Sequence, residues 1–229
     1  MAAPTTQLAD ARALFGNDAL APEDVARALG TDPTRLAGHD PTLLTQVPYD
    51  MASLRAARER GHLLVFRTPT DGAAPLTVLR LLERFPGSIQ AKLMKGVGYL
   101  LKDEWTLDQE PFVQTDTCAL GWRLVHREPV PETCNLSYAL QNAALARYAE
   151  RLGLAGMLRR RSGVAIVYDT ILFARARSVA LLEHTWDWSD TPTADGGYVT
   201  AGEQSADGLR VLGYSRAVRF GTLGVCPEY

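Results

Sequence analysis

Lysine is almost missing from this chain. Lys92, Lys95 and Lys102 are its only lysines, against a combined Lys and Arg count of 24. Arginine therefore carries nearly all the positive charge, which reads as the mark of a GC-rich genome or, second, of a high growth temperature. Cysteine is scarce too. Cys118, Cys134 and Cys226 have neither paired nor metal-ligand spacing, and an odd number fits a reduced compartment better than a disulfide framework. An excess of either charge is also lacking. The formal balance of −2 excludes a nucleic acid or an anionic membrane held mainly by electrostatics. There is no long apolar run: Val164–Ala174 is too short to span a bilayer and contains Asp169. The start, Met1-Ala2-Ala3-Pro4-Thr5, shows no positive region followed by an apolar core, so no signal peptide is expected. The expectation is a soluble protein made in the cytoplasm, with its final location open.

What is present is ordinary in bulk. Hydrophobic residues make up 46% and charged residues 22% of 229 residues, enough for one large domain or two small ones. Residues 1–47 read as short helices joined by Pro and Gly. Pro22-Glu23-Asp24 opens one of them and Gly30 stops it. Asp50 can cap a helix running to Arg60, and His62–Arg67 then reads as a strand. Thr70-Asp71-Gly72 marks a turn, and Thr77 starts a helix that Pro86-Gly87 ends. Residues 88–114 have no clear pattern.

From about residue 118 the order sharpens. Gly121–Arg127 alternates Trp122, Leu124 and His126 with Arg123 and Val125, a strand pattern that Pro129 and Pro131 terminate. Two helices are expected over 135–161 and 164–183, the first closed by Arg159-Arg160-Arg161. Four short strands are expected near 185–189, 198–202, 209–213 and 222–226. Along them Val199, Ala201, Leu209, Val211, Leu223 and Val225 face inward. One face of this sheet is expected to be buried and the other free. The outward set, Tyr198, Thr200, Arg210, Leu212, Tyr214, Arg219 and Phe220, has no common chemistry. An aromatic, Arg-rich and otherwise mixed face reads as a binding surface.

The order strand, helix, helix, four strands resembles the C-type lectin fold. Further residues carry a closer likeness: Tyr168-Asp169-Thr170, Trp186, Ser189, Asp195-Gly196-Gly197, Gly202, Asp207-Gly208-Leu209 and Leu223-Gly224-Val225. With Pro48-Tyr49-Asp50, His62-Leu63-Leu64-Val65 and Gly121-Trp122-Arg123-Leu124-Val125, they resemble the variable proteins of diversity-generating retroelements. The likeness covers most of the chain. It departs at the end, where Cys226-Pro227-Glu228-Tyr229 stands in place of the basic or Ser-Arg tail of many relatives. In such proteins adenine-directed mutagenesis rewrites the 3′ end of the gene, and the diversified side chains form the ligand-binding face. Every residue from Leu212 to Thr222 is reachable from an AAC codon by changes at its adenines, whereas Trp186, Trp188 and Glu203 are not. Asn and Lys are absent after Asn142 and Lys102, which adenine loss and codon bias both explain.

The resemblance implies an α+β protein with a mixed α/β accessory domain over 1–114 and a C-type-lectin-like domain over 115–229. Its variable region would be about 185–226. Non-catalytic binding of a macromolecule, most naturally a protein, is the implied function. The implied contact residues are Tyr198, Thr200, Arg210, Leu212, Tyr214, Arg219, Phe220 and Thr222, with Trp186 and Glu203 second. Trp186 also reads as a core residue, and Tyr168 with Asp169 as a buried hydrogen-bonded pair. A phage or cell-surface assembly protein with a fixed partner is the alternative, followed by a small enzyme using Cys, His and Asp. Local signatures for chemistry are absent. His126, Glu128, Glu132 and Cys134 fit no standard zinc spacing, and Lys95-Gly96-Val97-Gly98 lacks the rest of a phosphate loop. The Glu-Pro-Asn and Trp-Asn-Asp triplets of calcium-dependent lectins are missing as well, so no cofactor or metal is expected.

Overall fold

A computed structural model describes residues 4–90, 107 and 110–229. The segment Lys95-Gly96-Val97-Gly98 lies outside them. The chain runs β1 (Thr6–Gln7), α1 (Leu8–Phe15), β2 (Ala19–Leu20), α2 (Pro22–Leu29), α3 (Pro33–Leu36), β3 (Gln46–Val47), α4 (Met51–Glu59) and β4 (His62–Arg67). It continues α5 (Val78–Arg84), α6 (Pro111–Thr115), β5 (Gly121–His126), α7 (Tyr138–Arg151) and α8 (Gly163–Arg177). The last elements are β6 (Trp186–Pro192), β7 (Tyr198–Ser205), β8 (Gly208–Tyr214) and β9 (Leu223–Gly224). The architecture is α+β. Among the described residues no helix is long and apolar enough to cross a membrane.

Local chemistry sets the helix ends. The Asp24 carboxylate accepts the Ala21 N–H at 3.1 Å at the head of α2, and Gly30 closes that helix in the left-handed region. Asp50 caps α4 by accepting the Ser53 N–H, and Thr77 caps α5 by accepting that of Arg80. All six residues of β4 are buried because it is the middle strand of a sheet ordered β2-β4-β5. It runs parallel to β2 and antiparallel to β5, in register from His62↔His126 to Arg67↔Gly121. Helix α8 is buried on every side from Gly163 to Phe173, as an apolar helix at the centre of a core must be.

Three expectations need correcting here. The boundary at 114/115 does not divide the molecule. Strand β5, expected to open a separate domain, pairs along its whole length with β4, and one apolar core runs unbroken from Leu8 to Cys226. The helix expected over 135–161 ends at Arg151, because Gly153 and Gly156 adopt φ of 67° and 74° and turn the chain away. Arg160 and Arg161 therefore do not decorate a helix terminus. They lie buried in an extended stretch. In the same way α8 stops at Arg177, with Ser178 left-handed at its end, short of 183.

The chain end lies between β5 and the segment leading into α8. Leu124 and Tyr229 exchange both backbone hydrogen bonds, at 3.0 and 3.1 Å, and His126 N–H donates to Pro227 O. Arg159 and Glu228 exchange another such pair on the other side. Beneath this lies a buried chain of charges. Arg67 donates to both carboxylate oxygens of Asp169 and to Glu228, while Arg161 bridges Asp169 and Asp187. Tyr168 is also buried, but its hydroxyl bonds Phe66 O rather than Asp169.

His62 packs edge-on against His126 and Tyr229 in this region, with its Nδ1 3.1 Å from Ala57 O. Burial pushes its pKa down to about 3, helped by His126, and burial lowers His126 too. Folded pKa values below the ordinary 6.5 mean that the unfolded chain binds protons first as pH falls. Stability is thus complete above about 6.5 and declines below it, by up to ~1.4 kcal/mol per pH unit for each histidine. Urea melts between about pH 4.5 and 7 will show this slope, and His62→Phe will flatten it. An unchanged slope in that variant would remove His62 from the account.

Candidate functional site

The C-terminal sheet is ordered β8-β7-β6-β9. Its inner face carries Val199, Ala201, Leu209 and Val211 into the main core against α8, as the alternation predicts, whereas Leu223, expected on the same face, belongs to the other. Its other face is not free. Trp186, Trp188, Leu212, Tyr214, Leu223 and Tyr138 form a second buried cluster, with Tyr198, Val218 and Phe220 packed on its rim. Gly202 allows this layering, because a Cβ there would overlap Thr185 O and the Trp186 ring.

The cover over this second cluster is the β8–β9 connection, residues 215–222, together with the start of α7. Main-chain hydrogen bonds fix that connection: Tyr138 N–H to Arg216 O at 3.1 Å, Asn135 N–H to Phe220 O at 3.2 Å and Trp186 N–H to Thr222 O at 2.8 Å. Two more are internal, Val218 N–H to Ser215 O and Leu223 N–H to Phe220 O. Val218 and Phe220 turn inward, and Phe220 sits edge-on to both Trp186 and Tyr214. Arg216, Ala217, Arg219, Gly221 and Thr222 are exposed.

Beside the loop stands a layered stack. The Arg160 guanidinium lies 4.1 Å from the Tyr138 ring centre, Tyr138 stacks on Tyr198 at 4.0 Å and 14°, and the Arg216 guanidinium lies 5.0 Å from the Tyr198 centre. Steric exclusion puts each neighbour on a different ring face. Arg216 also donates to the Tyr198 hydroxyl at 3.1 Å. The inner end is fixed by Arg160, which donates to Trp188 O, Gln141 Oε1 and Asn142 Oδ1. Burial raises the Tyr138 hydroxyl to about 12 against the opposing pull of Arg160, so it stays protonated and donates to Ser189 O.

The expected contact residues therefore separate into three groups. Thr200, Leu212 and Tyr214 are buried, which corrects their outward assignment, and Trp186 is buried as its reading as a core residue has it; Thr200 spends its hydroxyl on Leu212 O. Arg210 and Glu203 pair with each other at the hairpin-turn end of β7 and β8, where Arg210 also reaches Gln90. Tyr198, Arg219, Phe220 and Thr222 come together at the loop. Arg216 and the Tyr138–Arg160 support were missed. Arg216 lies inside the Leu212–Thr222 stretch that the AAC argument covers, whereas nothing local in sequence marks Tyr138.

Burial raises the pKa of Cys134 and of Cys226, and raises that of Cys118 to about 12, so all three stay thiols. No hydrogen bond joins a cysteine to a histidine among the described residues. Among the same residues no three His, Cys, Asp or Glu side chains converge as a metal site, and His126 instead engages Glu128 O and Tyr148. A cleft of about 220 Å³ opens near the hairpin turn between Ser88, Arg175, Gln204 and Gly208. Its polar groups are already engaged, Arg175 with Ser88 and Gln204 with Leu181 N–H. Comparison of the chain with protein-family models, curated proteins and solved structures finds no significant match.

Proposed function

We propose that this protein is a non-catalytic binder whose contact surface is the 215–222 loop with Tyr198 beside it. One observation carries this reading: the loop is held through its main chain while the side chains of Arg216, Ala217, Arg219 and Thr222 stand in solvent. Main-chain hydrogen bonds do not depend on side-chain identity, so such a loop keeps its path while its surface changes. That is the physical requirement for a diversified face, the role implied by the resemblance to variable proteins of diversity-generating retroelements. The element order supports a C-type-lectin-like reading of residues 115–229. So does the antiparallel run of the chain end along β5.

The contact set is accordingly Tyr198, Arg216, Ala217, Arg219, Gly221 and Thr222, with Phe220 at its edge. Replacing Arg216, Ala217, Arg219, Gly221 and Thr222 by serine, singly, should shift stability by no more than ~0.5 kcal/mol each, as for surface positions in general. Gly221 belongs here because a Cβ there meets nothing within 4 Å. Thermal melts of the five variants check this, and a loss of several kcal/mol at any of them would remove that position from the surface. Sequencing the 3′ end of the gene across a native population tests diversification itself. Differences confined to these codons, matching adenines of a nearby imperfect repeat, are expected. A uniform sequence without a repeat would leave a fixed-partner binder.

A further inference from the structure

We propose that the partner received by this loop is an acidic protein segment, whose Asp and Glu carboxylates dock on Arg216 and Arg219. The inference rests on the binding reading above and goes beyond it in naming the chemistry of the partner. The loop Ser215-Arg216-Ala217-Val218-Arg219-Phe220-Gly221-Thr222 has two cations and no acid, within a chain whose formal charge is −2. Elsewhere the exposed Arg58 and Arg151 and the half-buried Arg127 hold carboxylates of the same chain, whereas the exposed Arg35, Arg55 and Arg147 form no ion pair among the described residues. Arg216 and Arg219 hold none among the described residues.

Arg216 is also positioned in advance. The Arg160–Tyr138–Tyr198 stack and the Tyr198 hydroxyl orient its guanidinium from below, which reduces the side-chain entropy lost when a ligand binds. One of its Nη groups serves Tyr198, and the rest of the planar set of five N–H donors, on an exposed residue, is suited to carboxylates. Asp190, whose charge acts on Tyr138 and Arg160, sits on β6 toward the inner end of the stack. The same stack argues against nucleic acid. Both faces of Tyr198 are already covered, by Tyr138 and by Arg216, so no base can stack there. Two guanidinium groups also supply few phosphate contacts on a protein of net negative charge.

Panning a random peptide library against the full chain and against an Arg216→Gln/Arg219→Gln double variant tests the proposal, with thermal melts confirming that both fold. Peptides enriched on the full chain should be rich in Asp and Glu. They should weaken as salt rises and lose roughly tenfold in affinity for each guanidinium removed. Enrichment that needs the exposed loop positions but shows no acidic bias would overturn the acidic partner and keep the binding surface. Loop-dependent binding of a single-stranded oligonucleotide tighter than that of any peptide would overturn the choice of protein. Enrichment unaffected by any loop substitution, or none at all, would overturn both this inference and the binding reading.

Discussion

Replacing Arg161 with alanine will destabilise the fold by about 3–5 kcal/mol, the range for removing one partner from a buried ion pair. Arg161 is 2% exposed, and its guanidinium lies 2.8 Å from Asp169 Oδ2 and 2.7 Å from Asp187 Oδ2. Without it Asp169 keeps Arg67, but Asp187 keeps only one charge-oriented donor described here, the Cys226 N–H at 2.8 Å. Burial already raises the Asp187 carboxyl above its ordinary range against the pull of Arg161. Losing that pull raises it further, so the variant will hold Asp187 protonated closer to neutral pH. A folded pKa above the unfolded one adds stability as pH falls, so the deficit relative to the parent protein should shrink toward acid. In a chain of this length a loss of that size lowers the melting temperature by on the order of ten degrees. Paired melts at two pH values read both effects. A deficit under about 1 kcal/mol, or one that grows toward acid, would show that Asp187 finds another partner when Arg161 is gone.

That network also marks how far the sequence was readable. Caps and breakers were legible because they act within a few residues: Asp50 and Thr77 start α4 and α5, and Gly30 ends α2. Strand β5 and the inward set Val199, Ala201, Leu209 and Val211 followed from alternation alone. Arg159-Arg160-Arg161 misled, because three successive cations suit a helix C-terminus, while what holds them is tertiary: Glu228 for Arg159, Asp169 and Asp187 for Arg161, and Trp188 O with Gln141 and Asn142 for Arg160. The proposed split at 114/115 failed for the same reason. Pairing of β4 with β5 is a long-range event that no local pattern records. The second face of the C-terminal sheet was read as free because its aromatic residues alternate with apolar ones, as a surface of contact residues would. Its cover comes from Tyr138 and from Val218 and Phe220, and neither periodicity nor charge points to them.

Trp186 decides whether that cover is real. It was a second-rank contact candidate that also read as core, and it is 1% exposed beneath the loop, tilted against Tyr214 at 5.9 Å and edge-on to Phe220 at 6.3 Å. Trp186→Ala should cost about 3–5 kcal/mol, the loss for truncating a large buried aromatic side chain. A contact residue on an open face would cost less than ~0.5 kcal/mol, so the two readings differ by nearly tenfold in the same experiment. Trp186→Phe separates packing from hydrogen bonding. The indole Nε1–H has no hydrogen-bond partner among the described residues, and leaving such a donor buried costs about 1–3 kcal/mol. Phenylalanine removes that cost while losing part of the ring volume, so its net effect should be at most about 2 kcal/mol. Denaturant melts of Trp186→Ala, Trp186→Phe and Arg219→Ala should therefore rank in that order of loss, with Arg219→Ala close to the parent protein. If Trp186→Ala melts like Arg219→Ala, the 215–222 loop does not cover the sheet. The contact surface then returns to the strand face, with Thr200, Leu212 and Tyr214 restored to it.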